Sequence, residues 1–305
     1  MASVFSRRSR SLTLALLGVL APLLSIPLAS AETGGFQLQA HRGGRGETTE
    51  ESLRAFVKSL QLGVSTLELD VVVTRDAQPL VWHDVVIEPT KCIDTKPFFP
   101  GDPDYPYVGK RVRELTVGQI RTLDCGLPQP EFPDAEVVPG NVIATLSEVF
   151  AATDDTDVRY NIETKVDAGN QRQVVDVILA AVRAADRLNS VDIQSFDWQT
   201  LALVRVVEPA IPLVALWEGG CDPILGALAV GADTVSPDYA VVDRLFVDRA
   251  HRSGLAVVPW TVNDPDAMRA LIAAGVDGLI TDYPSRLRLV LTELGMPLPR
   301  RYPAG

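Results

Sequence analysis

The sequence predicts a (β/α)8 barrel, a closed ring of eight parallel strands with helices outside it. Three observations carry that expectation. Short runs rich in Val, Ile and Leu alternate with amphipathic segments whose apolar residues recur every three or four positions. The alternation continues to the C-terminal region without a change in composition, which argues for one large domain and a parallel sheet that closes on itself. Charged side chains also recur at the ends of strand-like runs, although an unpaired charge buried in a strand costs several kcal/mol or more. Strand ends that share this violation predict one polar site, on the face where such barrels carry their chemistry.

The chain begins with a targeting pattern. Arg7, Arg8 and Arg10 precede an apolar run from Leu12 to Leu28, broken by Pro22 and Pro27 and followed by Ala29-Ser30-Ala31. This reads as a signal peptide over residues 1–31 and predicts a secreted or periplasmic protein. A membrane anchor is the alternative; the prolines, the short run and the small-residue cleavage site argue against it, so no stable membrane span is expected. The expected mature domain is 32–305. Removing residues 1–31 takes away three of the 28 Lys and Arg and none of the 39 Asp and Glu, leaving 25 basic against 39 acidic residues and a net charge of −14. So acidic a chain is a poor partner for nucleic acid. An anionic substrate must be drawn in by local cations or a metal. Composition leaves the oligomeric state open.

The first strand runs through Gln37-Leu-Gln-Ala and ends on His41-Arg42-Gly43. The second, Ser65 to Val73, carries Glu68 and Asp70 two residues apart, hence on one side of the strand. Only Asp76-Ala77-Gln78 separates it from Pro79-Leu-Val-Trp-His83. A parallel return needs about a dozen residues, so this segment is expected to be antiparallel. With the turn centred near Ala77, His83 falls opposite Val71, next to Asp70. An insertion then spans about 85–140, with the Pro/Gly/Asp-rich stretch Phe98 to Tyr107. Cys92 and Cys125 flank that stretch, and export would permit a bridge between them; three free thiols, with Cys221 the third, are the alternative. Further strands are expected at Asp157–Ile162, Val191–Ser195, Ile211–Leu216, Asp233–Val235, Ala256–Val262 and Gly278–Thr281. Helices are expected at Arg172–Asp186, Trp198–Val207, Asp243–Arg252 and Pro265–Ala274. Asn263-Asp264-Pro265 is a helix start, and Gly254 and Gly275 are helix stops.

Glu68, Asp70 and Glu163 offer oxygen donors for one hard divalent cation, Ca²⁺ or Mg²⁺, rather than zinc. His41 and His83 fit a general acid and a general base. His251, late on a helix, reads as a surface residue. Arg42 and Lys165 could hold phosphate oxygens, or could simply balance the acids. Trp260 could wall a cleft or pack in the core.

These residues fall in an order that resembles the glycerophosphodiester phosphodiesterase family. The blocks are His41-Arg-Gly with Glu50 nine residues on and Leu53-x-Ala-Phe56; Glu68-x-Asp-Val, Thr74-x-Asp and His83-Asp84; Asn161-Ile-Glu-x-Lys165; Ser195-Phe196; Trp260-Thr-Val-Asn263; and Thr281-Asp-Tyr-Pro284. The insertion is similar to that of the family's exported members. The resemblance implies a barrel phosphodiesterase acting on small glycerophosphodiesters, with His41 and His83 as the acid/base pair. It implies a divalent ion on Glu68, Asp70 and Glu163, phosphate on Arg42 and Lys165, and Glu50 near the same site. One departure is Thr49-Glu-Glu-Ser52, where the family usually has Pro-Glu-Asn-Thr; Glu51 is expected to add a negative charge near the metal. Two other readings remain. One is a phospholipase-D-like or phosphoinositide-type enzyme on the same barrel, whose membrane-facing rim would be Phe98, Phe99, Tyr105 and Tyr107. The other is a non-catalytic binding protein, which would lack a His or a metal acid; none is missing.

Overall fold

A computed structural model describes Met1 and residues 35–303. The expected leader, past its first residue, lies outside the described residues. In chain order the elements are β1 (Gln37–Ala40), α1 (Leu53–Leu62), β2 (Thr66–Val73), β3 (Pro79–Val81), β4 (Ile93–Asp94), α2 (Val117–Ile120), β5 (Leu123–Asp124) and α3 (Leu146–Ala152). There follow β6 (Arg159–Thr164), α4 (Gln171–Ala184), β7 (Val191–Ser195), α5 (Trp198–Val207), β8 (Leu213–Trp217), α6 (Pro223–Ala229), β9 (Thr234–Pro237), α7 (Arg244–Arg252), β10 (Ala256–Val257), α8 (Pro265–Ala274), β11 (Gly278–Thr281) and α9 (Pro284–Glu293).

The parallel strands lie in the order β10-β9-β8-β7-β6-β2-β1-β11. The seam between β10 and β11 is bridged by backbone bonds from Asp277 to Val257, Ile280 to Pro259 and Val262 to Ile280, at 2.9–3.0 Å. The result is a nearly closed eight-stranded (β/α)8 barrel, as the alternation predicts. Among the described residues no helix is long and apolar enough to cross a membrane.

The period-2 pattern of β2 explains how the barrel carries charge. Leu67, Leu69, Val71 and Val73 join the apolar layer under the helices, with Phe56, Leu60, Val174 and Ile178. Thr66, Glu68 and Asp70 alternate with them and are equally buried. A polar ladder holds the acids from below. Asn161 Nδ2 donates to Gln39 Oε1 and Gln194 Oε1, both at 2.9 Å, and Gln194 Nε2 donates to Glu68 Oε1 at 2.6 Å.

Three expectations need correction. β3 is antiparallel to β2, but Val81, not His83, stands opposite Val71. The turn centres on Asp76, one residue earlier than expected: Thr74 Oγ1 bonds Asp76 Oδ1 at 2.6 Å, and Ala77 takes φ 57°. The strand expected to reach Val262 ends at Val257, because Pro259 has no N–H to continue a ladder. Three barrel helices, α1, α6 and α9, are not among those expected. In α6, Gly226 breaks the apolar stripe where the ring of Trp198 lies; a Cβ there would sit 2.5 Å from that ring.

The insertion has a core of its own, built on Leu80, Trp82, Ile87, Tyr107, Leu115 and Ile120. Within it Cys92 and Cys125 form a disulfide, and Cys221 is free and exposed. Tyr107 is not part of a rim. It is fully buried, its hydroxyl donating to Asp102 and accepting from the Phe98 N–H. Tyr105 packs against the same core, which leaves Phe98 and Phe99 as the exposed pair.

Candidate active site

The C-terminal mouth of the barrel holds a cleft of about 250 Å³. Its polar side is formed by His41, Arg42, Arg45, Glu68, His83, Glu163 and Lys165; Phe196, Leu216, Trp260 and Ile280 form the apolar side. Sequence reasoning expected most of the polar set.

His41 leaves β1 in a single 3-10 turn, where Arg42 takes a left-handed φ of 50°. Its Nδ1 lies 2.5 Å from Asp282 Oδ1. Asp282 follows β11 and also accepts from Asn263 Nδ2 at 2.7 Å. His83 Nδ1 is 2.8 Å from Asp84 Oδ1. Each imidazole is therefore tied through Nδ1 to its own carboxylate, which sets the tautomer with the proton on Nδ1 and leaves Nε2 free. Burial holds His41 below the ordinary imidazole pKa, although Asp282 pulls the other way. Asp282 is held below the usual carboxylate range: burial pushes it up, but His41 and Arg45 outweigh that. Sequence reasoning missed Asp282 as a partner of His41. The rule that found the other acids, a charge following a buried apolar run, applies to it equally.

Glu68, Asp70 and Glu163 offer oxygens that all lie within 4.8 Å of one another. Asp70 and Glu163 are register partners on adjacent strands. Burial, and then the charge of Asp70, pushes Glu68 well above the carboxylate range and Glu163 up to about 8. Asp70 stays well below it: burial opposes ionisation, but Lys165 and Arg42 prevail. Lys165 Nζ is 2.6 Å from Glu163 Oε1 and 3.1 Å from Asp70 Oδ1. Asp70 Oδ2 is buried without a hydrogen-bond partner, with Arg42 Nε 3.4 Å away. Three converging carboxylates, two of them resisting ionisation, and an orphaned anionic oxygen fit a hard divalent cation.

Arg42 donates its backbone N–H to Glu68 Oε2 at 2.8 Å, and its Nη1 lies 3.2 Å from Glu50 Oε2. Glu50 does not line the cleft; it is buried behind Arg42 and held there by Arg42, Arg45 and Lys91. Glu51 does not behave as expected either. It is fully buried, and Oε1 accepts the Asp70 N–H at 2.8 Å. Burial, with Asp70 and Glu50 nearby, pushes its pKa well above the usual carboxylate range, which works against the extra negative charge expected there. Trp260 lines the cleft, its indole N–H on Ser236 O at 2.9 Å and its ring edge-on to Phe196 at 5.3 Å. His251 pairs with Asp277 at 2.8 Å, at the N-terminal end of β11 and away from the mouth.

A parallel barrel whose C-terminal mouth gathers two carboxylate-tied imidazoles, three acids and flanking cations defines a class of phosphoric diester hydrolases. The chain matches the glycerophosphoryl diester phosphodiesterase family over residues 41–286, and it belongs to that family. It is 30% identical over 249 residues to a glycerophosphodiester phosphodiesterase of Caldanaerobacter subterraneus subsp. tengcongensis, covering 81% of this chain and 94% of the relative. A Silicibacter pomeroyi structure provisionally named a glycerophosphoryl diester phosphodiesterase superposes with TM-score 0.77 at 28% identity, over 86% of this chain and 95% of that one. An Oleispira antarctica phosphodiesterase, solved with the product sn-glycerol-3-phosphate, shares the fold with TM-score 0.71 at 19% identity, over 85% and 97% of the two chains.

Proposed function

We propose that the chain hydrolyses glycerophosphodiesters to glycerol 3-phosphate and an alcohol, with one divalent cation, Ca²⁺ or Mg²⁺, on Glu68, Asp70 and Glu163. The observation that carries this reading is the shared cleft: His41 and His83, each tied at Nδ1 to its own acid, line it together with the carboxylate cluster. When bound, the cation would polarise the phosphoryl group and favour the developing charge. Arg42 and Lys165, which line the cleft, would take phosphoryl oxygens, with Phe196 and Trp260 forming its apolar side. His41, kept neutral by burial, accepts the proton of the attacking hydroxyl. Where that hydroxyl is water the product forms directly; where it is on C2 of glycerol a cyclic phosphate forms first, and water then opens it to glycerol 3-phosphate with the two imidazoles exchanging roles. His83 acts in its doubly protonated form, with Nδ1–H held by Asp84, and donates its Nε2 proton to the leaving alcohol. The leader pattern at residues 1–31 supports a secreted or periplasmic location.

The test is a panel of glycerophosphodiesters assayed with and without EDTA, Ca²⁺ and Mg²⁺. Glycerol 3-phosphate should appear from at least one of them, activity should collapse in EDTA, and one of the two ions should restore it. No turnover of any member, or turnover indifferent to EDTA, would refute the proposal.

Asp282 gives a narrower prediction. In Asp282→Asn the side chain can turn its amide toward His41 Nδ1 and stabilise the tautomer whose Nε2 carries a proton. Turnover should fall about a hundredfold or more, with the melting temperature nearly unchanged. Wild-type turnover in this variant would mean that His41 does not depend on that carboxylate.

A further inference from the structure

Lys91 has no part in the chemistry above, yet it joins both halves of the polar wall. It lies in the insertion, one residue before the bridged Cys92. Its side chain is 15% exposed, and Nζ sits 2.5 Å from Glu50 Oε1 and 2.6 Å from Asp84 Oδ2. The other oxygen of Asp84 holds His83 Nδ1, and the other oxygen of Glu50 holds Arg42 Nη1. One ammonium therefore spans two carboxylates, each of which orients a cleft residue.

A free lysine stem would surrender considerable rotamer entropy to hold this geometry. Here the insertion fixes much of it in advance. Nζ lies 5.2 Å from the centre of the Trp82 ring. The backbone of Lys91 is pinned to Glu88 O and Leu127 N, and the next residue is tied to Cys125. Burial works against the charge, but Glu50 and Asp84 more than compensate and keep Lys91 cationic.

We propose that Lys91 is a positioning residue through which the insertion sets the catalytic geometry: it fixes Asp84, and so the imidazole of His83. This rests on the acid/base role proposed for His83. A merely structural lysine would neutralise the same two acids, and its removal would lower stability without a selective effect on turnover.

The experiment is steady-state kinetics on the glycerophosphodiester cleaved fastest in the panel, at saturating cation, with melting temperatures measured alongside. Lys91→Met should lower kcat about thirtyfold, with KM changed less than about threefold. Lys91→Arg, which keeps the charge, should recover most of the loss. Adding Lys91→Met to Asp84→Asn should cost less than about threefold more, because the route through Asp84 is already cut. If Lys91→Met does not fold, Lys91→Gln carries the same expectations. A near-normal kcat in the lysine variant overturns the proposal, and so does a full thirtyfold loss repeated in the Asp84→Asn background. His83→Ala separates the two levels. Activity in it overturns the acid/base reading itself; an inactive His83→Ala beside a normal Lys91→Met overturns only the role of Lys91.

Discussion

His83→Ala and His41→Ala are each expected to lower kcat/KM about a thousandfold, because positioned proton transfer is worth roughly 10²–10⁴ in rate and neither imidazole has a neighbour to replace it. The fold should survive. The His83 and His41 side chains are 31% and 16% exposed at the mouth, so their loss leaves no cavity in the packed layer between barrel and helices. The double variant should be scarcely worse than either single one, since loss of one partner already halts the step. The wild-type pH profile of kcat/KM should be bell-shaped, and its acid limb should lie below the ordinary imidazole value, because burial holds His41 down. His251→Ala is the control and should change turnover little, since its ring pairs with Asp277 at the opposite end of β11. A His83→Ala enzyme with near-normal turnover, or a His251→Ala loss of equal size in folded protein, would break the acid/base assignment.

The barrel was legible because its strands obey simple periodicities. In β2 the alternation of Leu and Val with Glu68 and Asp70 survives into the structure residue by residue. What escaped depends on partners distant in sequence. The hairpin register differs by one step, with the turn centred on Asp76 and Ala77 at φ 57°, a detail that composition does not mark. Tyr107 looked like a rim aromatic until Asp102 and the Phe98 N–H claimed its hydroxyl. Glu51 looked like an added charge because a sequence shows residue types and not their desolvation. Asp282, Lys91 and Asp84 act through residues 241, 41 and one position away in the chain respectively. No local pattern announces the first two of these links. Reactive groups at strand ends, Asp282 among them, are marked in the sequence; which of them orients which becomes visible only when the strands are brought together.

The other large effect is expected at the carboxylate cluster. Asp70 is its most buried anion in charged form: 1% of its side chain is exposed, Oδ1 faces Lys165, and Oδ2 has no hydrogen-bond donor. Asp70→Asn keeps the shape and removes the charge, so a hard cation loses its strongest anionic ligand. Activity should fall at least about a hundredfold and return in part at high Ca²⁺ or Mg²⁺. A binding readout independent of activity should agree. At a cation concentration about 100 times Kd, wild-type protein gains about 2.7 kcal/mol, which for a chain of this size raises the melting temperature by roughly 5 °C or more; Asp70→Asn should lose most of that rise. The pH dependence has a definite sign. Glu163 sits at about 8 without a cation, so at neutral pH binding must displace its proton. Cation affinity should therefore climb as pH rises toward 8 and weaken as pH falls. In Asp70→Asn burial still raises Glu163 but the repulsion from Asp70 is gone, so the remaining weak binding should reach its plateau at a lower pH. Full activity of Asp70→Asn in the presence of EDTA, or identical cation-induced melting shifts in the two proteins, would show that the three acids do not form a metal site.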